Sequence, residues 1–349
     1  MLEHILEQNV WNTLKNDDKP VVLYGMGLGA EKIMATLESY SIEVADIFAS
    51  DEFVRGHFFK GYKVLKYSEV CEKYDDFNVV LCFASRLDDV IERIREIDAE
   101  HTVFAPDVPV AGGGLFSREY IEENEDKFDF VFSRLADDES KRVYVDVLNY
   151  KVSGKIKYLL RSFADKSAIY SDILKLTSNE SILDLGAYDG DTIAEFLTAT
   201  NGEYDYITAL EPDEKNFRKL LKNTEELFNI SCLNMGAWDK HDTLIFDTQA
   251  GRNSKLSSKG KSVEVIDVDS LELSPTFIKM DIEGAELKAL SGLEKTIKKY
   301  TPKLYVCAYH RNEDLFSLPI KVLELNPDYK VYFRHSKYIP AWESNFYFV

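Results

Sequence analysis

The chain has 349 residues, with 42 Lys plus Arg against 61 Asp plus Glu, a formal net charge of −19 and 45% hydrophobic residues. That length accommodates two domains, and the apolar content is that of an ordinary globular chain. The acidic balance argues against sequence-independent binding to nucleic acid or anionic membranes, which need a basic surface.

Cys71, Cys82, Cys232 and Cys307 lie far apart, with no C-x-x-C pair. A disulfide framework or a cysteine-rich zinc site is therefore not expected, and the thiols read as reduced residues of a cytoplasmic protein. Residues 1–20 carry Glu3, Glu7, Asp17 and Asp18 and no sustained apolar core, so they do not read as a signal peptide. No run is long and apolar enough to cross a bilayer.

In chain order, Leu2, Ile5, Leu6, Val10 and Leu14 fall at helical spacing and predict a lead-in helix. Val21–Tyr24 reads as a strand. Gly25-Met-Gly-Leu-Gly-Ala30 follows and opens onto a helix through Ile33, Met34 and Leu37, a G-x-G-x-x-A spacing in a strand–turn–helix context. A second strand covers Val44–Ala49. Asp46 and Asp51 stand where a nucleotide site places its ribose acid. Val79–Phe83 and Val103–Phe104 complete a small Rossmann-like module, residues 1–115. It takes either a nucleotide or nucleotide-sugar at Gly25–Ala30, or no ligand, its glycines then only packing helix on strand. A nicotinamide-dependent oxidoreductase is a weaker reading, since no hydride-transfer residues follow.

Pro106, Pro109 and Gly112–Gly114 mark a boundary. Residues 116–165 read as a mostly helical connector, anchored by Phe130, Phe132, Leu135, Val143, Val145, Leu148, Tyr158, Leu159 and Leu160. It either bridges the flanking domains or shapes the mouth of the second.

The second domain, 166–349, opens with Ile182–Leu185, a buried strand, then Gly186 and Gly190, then a helix from Thr192. The expectation is that these glycines keep the backbone open to a ligand. Asp184 and Asp189 put negative charge where a pyrophosphate would sit, favouring a cationic ligand. A second strand, Tyr206–Leu210, ends in Glu211-Pro212, and one carboxylate there accepts from both hydroxyls of a ribose. Asn216 lies on the next helix. Ile230–Leu233 leads into a turn, Gly236-Ala-Trp238, expected to line a base pocket. Leu244–Phe246 and Val263–Val268 read as strands around a polar loop with Arg252, Asn253 and Ser254. Phe277-Ile-Lys-Met-Asp-Ile-Glu-Gly-Ala-Glu286 is a strand, turn and helix. It sets Asp281 and Glu283 at the carboxyl edge, where open parallel sheets bind ligands. Leu304–His310 is a further strand ending in His310, and the tail suggests an antiparallel hairpin. Lys279 reads as a structural ion-pair partner. Arg334 and His335 read as a solvated strand face or as contacts to an acidic sugar. The fold class is α/β, two doubly wound Rossmann-like domains.

The Asp184-Leu-Gly-Ala-Tyr-Asp-Gly run, Leu210-Glu-Pro, the 277–286 stretch, and Tyr309-His310 with Tyr332-Phe-Arg-His335, in this order, resemble the FkbM family of S-adenosylmethionine-dependent methyltransferases. The resemblance covers about half the chain. It implies a class I methyltransferase fold for the second domain and O-methylation of sugar or polyketide hydroxyls. Carried over by position, Asp184, Gly186, Ala187, Gly190, Asp191, Thr192, Glu211, Pro212, Asn216, Gly236, Ala237, Trp238 and Asp281 bind the cofactor, and Asp281, Glu283 and His310 border the reacting centre. His310, with an ordinary pKa near neutrality, is then the general base. The site reads as metal-free; a divalent ion on Asp281 and Glu283 is the less favoured alternative. The rival function is a non-catalytic nucleotide-sugar-binding protein.

Overall fold

A computed structural model describes residues 1–109, 114–247, 255–256 and 261–349. Two α/β sheets dominate it. The first is built from β1 (Val21–Tyr24), β2 (Val44–Ala49), β3 (Phe58–Phe59), β4 (Tyr62–Lys66), β5 (Asn78–Leu81) and β6 (Val103–Phe104), in the order β3-β4-β2-β1-β5-β6. All its pairings are parallel except the short β3–β4 hairpin. The lead-in helix is shorter than its periodicity suggests: it runs Val10–Asn16, because the Asn9 side chain accepts from the Trp11 N–H and starts it there.

The second sheet uses β7 (Phe163–Ala164), β8 (Ser181–Leu185), β9 (Tyr206–Leu210) and β10 (Ile230–Leu233). A small side sheet follows, from β11 (Gly236–Trp238), β12 (Asp242–Asp247), β13 (Lys255–Leu256) and β14 (Lys261–Asp267), in the order β11-β14-β12-β13. The main sheet then resumes with β15 (Phe277–Met280), β16 (Lys303–Cys307), β17 (Val331–Ser336) and β18 (Ser344–Phe348), and its order is β10-β9-β8-β15-β16-β18-β17-β7. Only β18 runs antiparallel to its neighbours, so the expected closing hairpin is present. The strand order reverses direction between β8 and β15, the position at which such sheets bind ligands beyond their carboxyl ends.

Side-chain alternation divides the core. In β1, Val21 and Leu23 pack with Trp11, Ile33 and Leu37, while Val22 and Tyr24 face the other way. That second face joins a continuous apolar core through Val143, Tyr144, Val147 and Leu148 to Leu183, Ile278, Met280, Leu304 and Val306 of the second sheet. Helix Asp138–Ser153 is thus largely buried between the sheets. Arg334 is 6% exposed, correcting the solvated reading: it reaches Asp137 at 2.6 Å and Ser140 Oγ at 2.7 Å, clamping that helix to β17. His335 is sealed as well, between Ser344 Oγ and the Tyr338 carbonyl, 3.0 Å from each. Neither side chain is open to a sugar. Arg252, Asn253 and Ser254 lie outside the described residues.

Candidate active site at the carboxyl edge of the second sheet

The loop after β8 is pinned to β9. Gly186 and Ala187 both donate backbone N–H groups to the Leu210 carbonyl, at 2.9 and 3.0 Å. Glu211 follows directly. Its Oε2 accepts the Tyr188 N–H at 2.9 Å and its Oε1 the Asp213 N–H at 2.7 Å. Gly186 and Glu211 therefore share one edge of the sheet. Burial pushes the Glu211 carboxyl up to about 7 despite those two donors. Asn234 Nδ2 donates to the Glu211 carbonyl at 2.8 Å and holds this corner from the β10 side.

The reason for glycine at 186 differs from the expected one. A Cβ there would stand 1.9 Å from the Asp281 carbonyl oxygen, so the residue admits the neighbouring backbone rather than a ligand. Its φ of +80° adds a second requirement. At Gly190, φ +91°, the space is closed by Leu220 and Thr224. Tyr188, between them, takes a left-handed φ of +49° with its ring partly exposed. Sequence reading did not single it out; a bulky residue inside a glycine turn was the available signal.

Asp184 also differs from expectation. It is fully buried and lies 3.3 Å from Lys279 Nζ, its cross-strand neighbour, so its charge is matched internally and it offers no face to a ligand. Lys279 in turn donates to the Gly186 carbonyl at 3.0 Å. Burial works against the Lys279 charge, but the facing Asp184 and Asp281 carboxylates raise its pKa, so the ammonium persists. Ala187 is buried too. Asp191 and Thr192 open helix Asp191–Ala199, Asp191 Oδ1 accepting the Thr192 N–H. Asn216 sits in the first turn of Glu214–Asn223 and donates its backbone N–H to Asp213.

Gly236, Ala237 and Trp238 form no turn. They are β11, parallel to β14. Gly236 stays at the edge, its missing Cβ 3.7 Å from Pro212. Trp238 is carried toward helix Glu286–Ser291, where Lys288 Nζ lies 5.9 Å from its ring.

Beyond β15 and β16 the acids gather around one imidazole. β16 ends at Cys307, so His310 stands in the turn after it, 1% exposed. Its Nε2 is 3.4 Å from Asp281 Oδ1 and 3.7 Å from Glu283 Oε2, and its Nδ1 is 3.0 Å from Glu286 Oε1. The structure thus brings together Asp281, Glu283 and His310 and adds Glu286. That last residue ends the quoted 277–286 motif, yet nothing in the sequence shows that its helix turn points it at the histidine. Tyr309 Oη donates to Asp281 Oδ1 at 3.1 Å. Arg311 Nε donates to the Gly284 carbonyl at 2.8 Å and ties the two turns together. Glu283 itself holds a left-handed φ of +57°, a strain of the kind that collects at functional loops.

Burial alone would lower the His310 pKa, but Glu286, Asp281 and Glu283 outweigh it and push it up to about 10. Burial likewise raises Asp281, and Lys279, His310 and Tyr309 outweigh it, holding that carboxyl below its ordinary value. At neutral pH without other ligands, the imidazole is a cation and Asp281 an anion. The expected general-base role for His310 does not match that charge state, because three carboxylates surround the ring.

Two hollows flank the sheet. One of about 420 Å³, between Asn179, Tyr204 and Phe228, lies at the amino-terminal edge, away from Glu211. The other, about 320 Å³, lies at the carboxyl edge beyond β7 and β17, among Arg86, Lys166, Glu195, Lys337, Tyr338 and Glu343. In the first sheet, Asp46 is taken by Lys73 Nζ and Tyr74 Oη, both at 2.6 Å, so it is not a free ribose acid.

These features are those of a class I methyltransferase fold, and the comparisons with known proteins agree. Residues 184–338 match the methyltransferase FkbM domain. The chain is an S-adenosylmethionine-dependent methyltransferase, with S-adenosylmethionine as its cofactor. The crystal structure of methyltransferase FkbM from Methylobacillus flagellatus KT aligns with 100% of this chain and 92% of its own, at a TM-score of 0.73 and 23% identity, which shows a shared fold. Partial likenesses include a precorrin-6y C5,15-methyltransferase from Geobacter metallireducens GS-15 (12% identity, 52% of this chain and 85% of that one, TM-score 0.33). Fibrillarin of Aeropyrum pernix, solved with natively bound S-adenosylmethionine, gives 14% identity over 53% of this chain and 73% of that one, at a TM-score of 0.34. No curated protein matches the chain. Among the described residues no helix is long and apolar enough to cross a membrane.

Proposed function

We propose that the chain O-methylates a hydroxyl of a sugar or a similar hydroxylated metabolite at the carboxyl edge of its second sheet. The observation that carries this reading is the common edge shared by Glu211 and the Asp281–His310 group, linked through the loop Gly186–Gly190. Glu211 takes the ribose of S-adenosylmethionine, with the backbone of 186–190, Pro212 and Gly236 beside it. The acceptor hydroxyl meets Asp281, which is ionised and accepts its hydrogen bond beside that of Tyr309. His310, Glu283 and Lys279 set the field in which the proton leaves. The hollow at Lys166 and Lys337 receives the rest of the acceptor; in support, the Lys166 charge is close enough to help hold Asp281 ionised.

Methyl transfer is an in-line displacement, so the main contribution of such a site is orientation, worth up to about 7–11 kcal/mol in favourable cases. Removing water from the acceptor strengthens the Asp281 interaction further. In this reading residues 166–349 form the transferase unit, 116–165 the connector and 1–115 a module for a nucleotide or nucleotide-sugar, working in the cytoplasm. The positive φ at Gly25 and Gly27, with open space where a Gly27 side chain would stand, supports a ligand at that loop.

Calorimetry with S-adenosylhomocysteine tests the cofactor half. Binding by wild type and at least tenfold weaker binding by Glu211→Ala are expected; unchanged affinity in the variant rejects the ribose assignment. Transfer of a labelled methyl group to a panel of sugars and nucleotide-sugars tests the acceptor half.

A further inference from the structure

The two faces of the His310 ring differ. On the Nδ1 side, His310 and Glu286 are both 0% exposed, and Glu286 Oε1 already accepts the Ile282 and Gly284 N–H groups at 3.0 and 3.3 Å. On the Nε2 side, Asp281 and Glu283 are 27% and 48% exposed, so this face opens to solvent. Both ring nitrogens are buried without a hydrogen-bond partner among the described residues, and only Nε2 faces the partly exposed carboxylates. An imidazole nitrogen aimed at two carboxylates, and anchored from behind by a third, is the arrangement of a metal-binding histidine.

We propose that His310 Nε2, Asp281 and Glu283 hold a divalent cation, that Glu286 orients the ring from its far side, and that the ion receives the acceptor hydroxyl. The inference rests on the reading of this edge as the methyl-transfer site.

Both separations measured from Nε2 fit one ion. Metal bonds of about 2.1 Å, at angles between about 90° and 120°, separate neighbouring donor atoms by about 3.0–3.6 Å. The observed Nε2 separations are 3.4 Å to Asp281 and 3.7 Å to Glu283. The group whose donor atoms all fall within 4.8 Å of one another is Asp281, Glu286 and His310, so the half-exposed Glu283 has to turn inward to join an ion at Nε2. Glu286 nevertheless acts as a positioning residue rather than a ligand: it faces Nδ1, and one ring presents only one nitrogen to one ion. Its Oε1 is moreover occupied by two backbone donors. The Tyr309 hydroxyl on Asp281 Oδ1 orients that carboxylate in the same way.

One imidazole and two carboxylates suit manganese and zinc better than a soft, thiolate-seeking ion. Three protein ligands leave coordination positions open toward solvent, as catalytic sites require. An alcohol bound at such a position loses its proton to solvent or to a neighbouring carboxylate more readily, because the cation stabilises the alkoxide. The oxygen then forms its bond to the methyl carbon as the carbon–sulfur bond breaks, and the electron pair returns to sulfur to leave a neutral thioether.

The test titrates the chelator-treated full chain with MnCl₂, by calorimetry and electron paramagnetic resonance, and separately with S-adenosylhomocysteine. One Mn²⁺ per chain is expected. Glu283→Gln and His310→Asn should each weaken it at least tenfold, and Glu286→Gln should weaken it by about 10–100-fold, the usual effect of losing the carboxylate behind a ligating histidine. Glu226→Gln, on a distant exposed loop, should bind Mn²⁺ as wild type does. Should His310→Asn fail to fold, the more exposed Glu283 decides by itself. S-adenosylhomocysteine binding without Mn²⁺ binding up to about 1 mM, the weak limit of carboxylate sites, overturns the ion and leaves the cofactor reading intact. Mn²⁺ binding unchanged in Glu283→Gln also overturns it. Mn²⁺ binding without S-adenosylhomocysteine binding rejects the methyl-transfer reading, and with it the ion's role toward the acceptor.

Discussion

His310 Nδ1 lies 3.0 Å from Glu286 Oε1, and neither side chain touches solvent. Removing Glu286 leaves Asp281 and Glu283 facing the ring but takes the acceptor from the Ile282 and Gly284 N–H groups. Glu286→Ala should therefore lower unfolding free energy by about 1–3 kcal/mol, measured by urea denaturation. A loss below about 1 kcal/mol would contradict the place of Glu286 as acceptor for those two N–H groups.

The same pair gives stability a pH dependence. The folded His310 pKa is raised from 6.5 to about 10. Its contribution is fully present below about pH 6.5 and is lost as pH rises through about 10. His335 behaves oppositely: burial lowers it to about 4, with only the Tyr338 carbonyl opposing. Its contribution is present above about pH 6.5 and is lost as pH falls toward about 4. Comparing wild type with His310→Gln and His335→Gln across a urea–pH series separates the two limbs. A wild type minus His310→Gln difference that stays flat from pH 7 to 10 contradicts the first.

Glu211 should make cofactor binding pH-dependent. Its folded pKa is raised from 4.5 to about 7 by burial. In the free protein, the stability linked to its protonated form is fully present below about pH 4.5 and is lost as pH rises through about 7. A ribose diol prefers the ionised acceptor, so S-adenosylhomocysteine affinity should fall severalfold between about pH 8 and pH 6. Glu211→Gln should flatten that dependence in calorimetry.

The glycines separate two physical demands. Gly27 has φ +101° with nothing within 4 Å of an added Cβ, so Gly27→Ala should cost only backbone strain, about 1–3 kcal/mol. Gly186→Ala carries similar strain and also drives a methyl group into the Asp281 carbonyl at 1.9 Å. Its melting temperature should drop further than that of Gly27→Ala. Equal drops would contradict the close approach of the two loops.

Arg334 is the clamp between β17 and helix Asp138–Ser153. Arg334→Ala removes charged hydrogen bonds to Asp137 and Ser140. Asp137 can turn to solvent, so the cost should be about 1.5–3 kcal/mol. Loss of protection in helix Asp138–Ser153 by hydrogen exchange would locate the effect.

Much of this molecule was readable in one dimension. Short apolar runs bounded by glycine gave β1, β8, β9 and β15, because a buried strand needs only local hydrophobicity and a turn to end it. The placing of Glu211, Asp281 and Glu283 at strand ends followed from those boundaries. What the sequence did not carry were relations between elements far apart in the chain: Lys279 neutralising Asp184 across two strands, Gly186 yielding to the Asp281 backbone, Gly236–Trp238 paired with β14 as a strand, and Glu286 turned onto His310. Each depends on which strand lies beside which and on how far a helix rotates before it packs. Local propensity determines where strands and turns fall; the register between neighbours decides which charges meet, and so which of the acids face solvent and which are spent within the fold.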